Sequence, residues 1–274
     1  TLVVDGANQR DPYTFFGDEN KRQGVLSECR MKEFLQNRRA VLLSADATSA
    51  YSDQLRSFRR HVFWVCDEET SSPSLIVLLD DIEARDTEIK RDFAFHYHTP
   101  CDLEILDQGG TALIRGKQTD LLVQVLASSD CSLDVSEPMQ IGEATLRRLT
   151  AHAYWVVRHP DFEETSRVQF VTLLVPYVRG ENRPKVFVHK TSDLLAAQVE
   201  KGDKSSTLLF SRFRTSRRRL EAFGIATNAR ACLVCQDRQG LQAILVLKGS
   251  QVTVEGQRIF SAKRQENYCW TKED

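Results

Sequence analysis

Short runs of β-branched and aromatic residues, separated by polar turns, follow one another along most of the chain. Such side chains fit a pleated, half-buried surface, so this pattern is typical of antiparallel β structure. The predicted strands are Leu2–Asp5, Ala40–Ala45, Phe58–Cys66, Leu75–Asp80, Asp92–His98, Thr111–Ile114, Leu121–Leu126, His152–Arg158, Val168–Val175, Lys185–His189, Ser206–Phe210, Ala231–Gln236, Leu241–Leu247 and Gln251–Glu255. Their spacing predicts an all-β fold, a large antiparallel β-sandwich (supersandwich) with few short helices.

Alternation along two of these strands predicts that each has one face in the core. In the first strand the residues that share a face are Phe58, Val62, Trp64 and Cys66, with Arg60 among them. In the second strand the aromatic residues Phe93, Phe95 and Tyr97 oppose Asp92, Ala94, His96 and His98.

Helical signals are few. The stretch Ser192–Lys201 has helical spacing of its apolar residues and is predicted as a helix, whereas Cys29–Asn37 is ambiguous between helix and strand. Gly249 is expected to separate the last two predicted strands. Neither a Pro-, Gly- or Ser-rich linker nor a fixed-period repeat interrupts the sequence, so residues 1–274 are predicted to form one β-sandwich domain.

Composition describes a globular chain, with 41% hydrophobic residues in 274 and a net charge of -1. A chain so close to neutral has no overall field that attracts nucleic acid or an anionic membrane surface, so nucleic acid is not expected as a partner. The longest apolar runs are far shorter than the roughly 20 residues of a transmembrane helix, and no membrane span is expected. The chain opens inside a predicted strand without an initiator Met, which indicates a part of a longer protein.

Seven scattered cysteines, an odd number, favour a reduced state over a disulfide framework. Cys232 and Cys235 form a C-x-x-C motif, but they lie in an apolar run without a second Cys or His pair at zinc-finger spacing. They are interpreted as two cysteines of a strand, and no metal site is predicted.

The strongest polar motif is the strand that carries His96 and His98. Two imidazoles at positions i and i+2 project from one strand face and can converge on a metal or an anionic substrate. No third ligand is evident in the sequence, so a solvated strand face remains the alternative.

Two groups of arginines suit carboxylate or sulfate groups, with a solvated surface as the alternative. They are Arg56, Arg59 and Arg60 in one strand, and Arg212, Arg214, Arg217, Arg218 and Arg219 in a later segment. Three pairs of adjacent carboxylates are also present, at residues 68–69, 80–81 and 163–164. Adjacent strand residues point to opposite faces, so these pairs are not expected to act together on one glycosidic bond.

Three stretches in order resemble the C-terminal β domain of the heparinase II/III-like polysaccharide lyases. The first is TLVVDGANQ, which resembles the family's His-Asn-Thr-(apolar)-Val-Asp-Gly-x-x-Gln stretch. The second is YSDQLRSFRRHVFWV followed by SLIVLLDDIEA and DFAFHYHTP, and the third is VQFVTLLVPYVRG. The resemblance covers the first two-thirds of the chain, and the last third shares only a general pattern of strands and turns.

The resemblance implies β-elimination on an acidic polysaccharide that contains uronic acid, with most catalytic residues in an upstream (α/α) toroid. It implies a periplasmic protein, whereas the unpaired cysteines favour the cytoplasm. The family's metal-site histidines precede the matched stretch, so catalytic residues in this chain stay unknown, the chain alone is expected to be inactive, and no cofactor is expected in it. The resemblance is compatible with a metal ion in the full-length parent protein. The matched positions expected to line the substrate cleft are Asn8, Gln9, Arg10, His96 and His98.

A second hypothesis remains open beside the lyase. The chain is then a non-catalytic carbohydrate-binding or structural sandwich, which binds glycans through exposed aromatic residues such as Tyr13, Phe15 and Phe16.

Overall fold

The computed structural model describes residues 2–4, 7–8, 29–51, 54–67, 73–85, 92–107, 110–136, 139–141, 144–154, 167–212 and 218–272. In these residues every strand pairing is antiparallel, and the strands form three sheets, which we name the small, central and C-terminal sheets. The central sheet is sandwiched between the other two. The predicted all-β sandwich is therefore confirmed.

The small sheet has the order β11-β13-β7-β1-β2, with β12 beside β13. Its strands are β1 (Leu2–Val4), β2 (Ala7–Asn8), β7 (Asp92–Thr99), β11 (Cys131–Val135), β12 (Met139–Ile141) and β13 (Ala144–Tyr154). The central sheet has the order β3-β4-β5-β6-β14-β10-β9-β8. Its strands are β3 (Arg30–Gln36), β4 (Ala40–Asp46), β5 (Leu55–Cys66), β6 (Pro73–Ala84), β8 (Asp102–Asp107), β9 (Thr111–Arg115), β10 (Thr119–Ala127) and β14 (Arg167–Val178).

The C-terminal sheet has the order β15-β16-β17-β20-β21-β19-β18, with β22 beside β21. Its strands are β15 (Lys185–Lys190), β16 (Leu194–Lys201), β17 (Lys204–Ser211), β18 (Leu220–Ala222), β19 (Ile225–Thr227), β20 (Ala231–Asp237), β21 (Gly240–Val254) and β22 (Gln257–Thr271). A 3-10 turn at Thr48–Tyr51 is the one helical segment of the described ranges. None of the helical structure in those ranges is long and apolar enough to cross a membrane.

Three apolar clusters hold the sheets together. Phe95 of the small sheet meets Phe170 of the central sheet in the first, with ring centroids 4.8 Å apart in an edge-to-face arrangement. Phe63 of the central sheet and Phe210 of the C-terminal sheet belong to the second cluster. The third lies on the other face of the C-terminal sheet, which folds back so that β18, β19 and the end of β21 cover it.

The predicted helix at Ser192–Lys201 is wrong, because these residues form the turn into β16 and β16 itself. Leu195 of this strand packs in the cluster against the central sheet, and Leu194 packs in the cluster on the opposite face. A strand buried on both faces has no polar alternation, so its apolar run imitates helical spacing. The ambiguous stretch Cys29–Asn37 contains strand β3.

Gly249 does not separate two strands, since β21 runs through it with shifts of register on both sides. A Cβ atom at this position would lie 2.5 Å from the Ala229 Cβ, so only glycine fits here. The preceding residue, Lys248, has a φ of 50°. The irregularity bends one long strand, which allows the sheet to fold back over its own face.

The shared face predicted for Phe58, Val62 and Trp64 is only partly in the core. Phe58 packs in the cluster with the small sheet, but Trp64 on the same side of β5 is 38% exposed. The small sheet has fewer and shorter strands than the central sheet and does not cover the whole of this face. Phe63 and Val65, on the opposite face, are the buried residues at this end of β5. By contrast, the predicted burial of Phe93 and Phe95 in β7 is confirmed.

Several strands were not predicted from the sequence. They are β2, β8, β11, β12, β18, β19 and β22. β22 is long but largely exposed and rich in charged residues, so it lacks the alternation by which a half-buried strand is recognised. β13 begins at Ala144, earlier than predicted, and the predicted end of this strand at residues 155–158 lies outside the described residues.

Candidate functional site

The small sheet turns one face toward the core, and on its other face His98 and Asp134 are exposed whereas Ala94 and Thr150 are buried. Phe93 and Phe95 of β7, with Leu149 and Ala151 of β13, are fully buried on the core face. The residues between them lie on the opposite face, because side chains alternate along a strand. We call this surface the open face.

Strand pairing brings polar side chains together on the open face. His98 lies directly opposite Arg148, and His96 lies opposite Thr150. Thr150 in turn pairs with Asp134 of β11. His98 and Asp134 are exposed, whereas His96 and Arg148 are half-buried. The predicted histidine pair therefore belongs to a wider group that includes an arginine, which sequence reasoning did not single out.

The two imidazole rings lie side by side, with centroids 6.3 Å apart and planes at 90°. Burial is the main cause that lowers the pKa of His98, and the positive charge of Arg148 makes a smaller contribution in the same direction. A lowered pKa keeps the His98 imidazole neutral at neutral pH, and a neutral imidazole can both accept and donate a proton.

Arg148 carries a hydrogen-bond donor that has no acceptor in the described part of the chain. This donor is the Nε–H group, and it is buried. A guanidinium N–H without an acceptor is costly to bury, and a carboxylate or sulfate group is the acceptor that fits it best. Beside a neutral imidazole, this arrangement can neutralise a carboxylate and exchange a proton with its ligand.

Contacts beneath the open face hold β7 in position. The Tyr97 hydroxyl and the Thr172 Oγ1 atom of the central sheet are 2.7 Å apart in a hydrogen bond. Arg60 binds Asp80 through two hydrogen bonds of 2.7 and 3.0 Å, and its guanidinium carbon lies 5.2 Å from the Phe95 ring centroid. Rigid support of this kind keeps His96 and His98 at fixed positions.

The arginine groups predicted as ligand sites have other partners. Arg60 is in the ion pair with Asp80, and Arg56 pairs with Glu83 at 3.4 Å. Arg212 donates to the carbonyl oxygens of Thr191 and Ser128 at 2.8 and 3.0 Å. Arg218 and Arg219 pair with Asp193 and Glu221, and Arg214 and Arg217 lie outside the described residues. Neither group gathers around a common site.

The remaining predicted site residues lie at or beyond the edge of this sheet. Asn8 is in β2 opposite Val3, and Val3 pairs with Ala94 of β7, so the Asn8 backbone is two strands from the histidine strand. Gln9 and Arg10 lie outside the described residues, as do Tyr13, Phe15 and Phe16. The roles predicted for these residues stay predictions.

The adjacent carboxylates and the C-x-x-C thiols of the described residues do not form a second candidate site. Asp80 and Asp81 bind different arginines on opposite faces of β6, as predicted, and the pairs at 68–69 and 163–164 lie outside the described residues. Cys232 and Cys235 belong to clusters on opposite faces of β20, so their thiols point apart. Within the described ranges, no three His, Cys, Asp or Glu side chains are grouped as a metal site requires.

The fold and the open face together define a multi-sheet antiparallel β-sandwich with a histidine- and arginine-bearing sheet surface. No family model matches this sequence, and no curated protein matches it. Solved structures do match. A heparinase III structure, the BT4657 gene product, has a TM-score of 0.52 at 17% identity over 77% of this chain and 30% of its own.

A heparan sulfate lyase HepC mutant from Pedobacter heparinus has a TM-score of 0.51 at 14% identity over 77% of this chain and 29% of its own. A further heparinase III structure has a TM-score of 0.50 at 11% identity. The chain therefore shares the fold of these structures, and it spans about 30% of their length.

Proposed function

We propose that this chain is the β-sandwich portion, at the C-terminal end, of a polysaccharide lyase that acts on a uronic-acid-containing glycan, heparin- or heparan-like or alginate-like, by β-elimination. The observation that supports this most directly is the fold shared with heparinase III and heparan sulfate lyase structures over 77% of the chain. The order of the family-like stretches in the sequence supports the same proposal.

The chemistry of the open face suits such a substrate. β-Elimination removes the proton beside a carboxylate, and this proton becomes acidic only when the carboxylate is neutralised. Arg148 offers an N–H without an acceptor for that carboxylate, and His98 lies directly opposite it in the sheet. We assign His96, His98 and Arg148 to substrate binding, with Asn8, Gln9 and Arg10 at the adjoining edge.

The rest of the parent protein would supply the catalytic residues. We propose an upstream (α/α) toroid as the partner that completes the cleft and, where the family uses one, holds the metal ion. An acidic extracellular glycan fits the periplasm, whereas all seven cysteines are free, which favours the cytoplasm. Fractionation of cells that produce the parent protein distinguishes the two compartments.

The experiment uses the full-length parent with heparin, heparan sulfate and alginate, and follows the ultraviolet absorbance of unsaturated uronate products. Arg148→Gln is expected to raise KM about tenfold or more, in line with the loss of one charge-assisted hydrogen bond. His98→Asn tests the neighbouring imidazole. Arg115→Gln, an exposed arginine on the central sheet, is the matched control and should leave KM unchanged. Absence of product on all three polymers would refute the proposal.

A carbohydrate-binding role without catalysis is the second candidate. Trp64 is 38% exposed and Phe34 is 51% exposed on the same side of the central sheet, where aromatic side chains can stack on sugar rings. Calorimetry on this chain alone tests the idea. Glycan binding that is lost in Trp64→Ala and kept in Arg148→Gln would favour this role over a lyase, and no binding at all would exclude it.

A further inference from the structure

A cavity opens at one end of the interface between the central and C-terminal sheets. It has a volume of about 80 Å³ and is lined by residues of both sheets. On the central sheet, Val65 lies opposite Leu75 in the ladder. On the C-terminal sheet, four strand pairings join one row of lining residues, which are Val199, Ser206, Cys235, Ala243 and Thr271. The cavity therefore lies between two facing rows of the sandwich.

The size of the side chains explains why the sheets leave space here. One row further into the interface, the C-terminal sheet carries three adjacent, fully buried leucines, which are Leu208, Leu233 and Leu245. In the row that lines the cavity, the same three strands carry Ser206, Cys235 and Ala243. Short side chains in a packed interface leave a void where the neighbouring residues do not close over them.

The walls of the cavity combine apolar side chains with a hydroxyl group. The apolar lining residues belong to the cluster that joins the two sheets, and they are Val65, Leu75, Val175, Val199 and Ala243. Thr271 is 7% exposed, and its hydroxyl forms no hydrogen bond with the residues that the structure describes. The cavity therefore offers a mainly apolar surface to a ligand, with a hydrogen-bonding group at one side.

Positive charge is in excess at the mouth of the cavity. The charged residues that line it are three cations and two carboxylates, namely Arg39, Lys201, Lys204, Asp67 and Asp237. Lys204 Nζ lies 2.7 Å from Asp67 Oδ2, in an ion pair that joins the C-terminal and central sheets. Both partners are partly exposed, so this pair is weak and can open to admit a ligand.

Lys201 is a cation without a carboxylate partner. Its ammonium group donates to the Pro176 carbonyl oxygen at 2.8 Å and forms no ion pair in the part of the chain that the structure describes. Asp237 Oδ1 instead accepts hydrogen bonds from the Gln239 amide and from Gln242 Nε2, at 2.7 and 2.9 Å. An ammonium group has three donors, so Lys201 can bind an anion while it keeps its bond to Pro176.

We propose that the cavity binds a small aliphatic carboxylate. The carboxylate would accept a charge-assisted hydrogen bond from Lys201, and the alkyl chain would pack against Val65, Leu75 and Val199. A cavity of about 150 Å³ accommodates benzene, so about 80 Å³ suits a chain of a few carbon atoms. The site lies on the opposite side of the central sheet from the open face and does not rest on the proposed lyase function.

The test titrates the protein with sodium butanoate and follows methyl signals by nuclear magnetic resonance. Saturable shifts are expected at Val65, Leu75 and Val199. Butylammonium and 1-butanol have the same alkyl chain without the negative charge, and they should bind at least tenfold more weakly at equal ionic strength. Shifts that do not saturate, or equal binding of butanoate and 1-butanol, would overturn the proposal.

Two variants separate the charge from the space. Lys201→Gln keeps a donor for the Pro176 carbonyl but removes the charge, so it should weaken butanoate binding at least tenfold. Lys263→Gln, at an exposed lysine of β22, is the matched control and should leave binding unchanged. Ala243→Val adds two methyl groups at the wall of the cavity and should abolish the shifts without lowering the midpoint of thermal unfolding. Unchanged butanoate affinity in Lys201→Gln or in Ala243→Val would refute the assignment.

Discussion

Asp80 and Asp81 are consecutive in β6, yet their carboxylates lie in two different interfaces. Asp80 accepts two hydrogen bonds from Arg60 on the side of the small sheet. Asp81 accepts two hydrogen bonds of 2.5 Å from Arg167 and one of 3.0 Å from Arg230, which belongs to the C-terminal sheet. Because both carboxylates are buried, one dipeptide fixes ion pairs on both faces of the central sheet.

Asp81→Asn is expected to be strongly destabilising. The substitution leaves Arg167 and Arg230 in the interface without their counter-charge, and removing one partner of a buried ion pair costs about 3–5 kcal/mol. Denaturant unfolding of the variant and the unchanged chain measures the difference in the free energy of unfolding.

Glu104→Gln is the control for Asp81→Asn, since Glu104 pairs with Arg115 at 2.6 Å on an exposed surface. Exposed pairs contribute about 0–1 kcal/mol. Equal effects of the two variants would show that the Asp81 cluster is not an energetically important part of the interface.

His61 makes stability depend on pH. The folded-state pKa, lowered by burial to about 4, lies below the ordinary histidine value of 6.5, so protonation favours the unfolded chain. The contribution of neutral His61 is therefore fully present above pH 6.5 and is lost as the pH falls toward 4. The shift corresponds to a free-energy change on the order of 3 kcal/mol.

His61→Gln should flatten the dependence of the unfolding free energy on pH between 6.5 and 4. The glutamine amide can keep a hydrogen bond with Ser44, whose Oγ lies 2.7 Å from His61 Nδ1 in the unchanged chain. His189→Gln, at an exposed position, is the control for replacing a histidine by glutamine. Identical slopes in the unchanged chain and in His61→Gln would contradict this assignment.

Gly249→Ala should lower stability by clash alone. The added Cβ would lie 2.5 Å from Ala229 Cβ and 2.6 Å from Val246 Cγ1, and overpacking of this kind costs about 1–3 kcal/mol. Gly180→Ala isolates the other effect of a glycine substitution, because Gly180 has a φ of 96° and open space around it. Thermal unfolding of both variants separates clash from backbone strain, and an unchanged melting temperature in Gly249→Ala would contradict the close packing.

The cysteines should differ in reactivity with a thiol reagent. Cys29 is exposed, whereas burial raises the pKa of Cys235 to about 11 and also raises that of Cys232. A thiolate is the reactive form, so Cys29 should be modified first and Cys232 and Cys235 only after unfolding. Mass spectrometry of partly modified protein identifies the sites. Rapid modification of Cys232 or Cys235 in the folded chain would contradict their burial.

Local patterns predicted most of the strands, since alternation and turn residues act over a few positions. The local patterns gave wrong predictions where contacts between distant residues determine the secondary structure. β16 is buried on both faces and was predicted as a helix, and β21 continues through Gly249 because the bulge is stabilised by distant Ala229 and Asn267. Trp64 has the alternation of a core residue, but the small sheet does not extend over it.

The candidate site was predicted in part for the same reason. His96 and His98 are two residues apart on one strand, so alternation alone places them on one face. Arg148 joins them only because β13 pairs with β7 in one particular register, which no local pattern encodes. An arginine that lies opposite a histidine across a sheet becomes recognisable only when the pairing is known.

Pairing of β6 with β14 joins residues that are far apart in sequence, such as Glu83 and Arg167. The strands of the small sheet β7, β11, β12 and β13 lie between them along the chain. Closing this junction brings Arg167 to Asp81 on one face and Phe170 to Phe95 on the other. Neither interface forms without that non-local step, so the small and central sheets should unfold in one cooperative transition and refold slowly for a chain of this length.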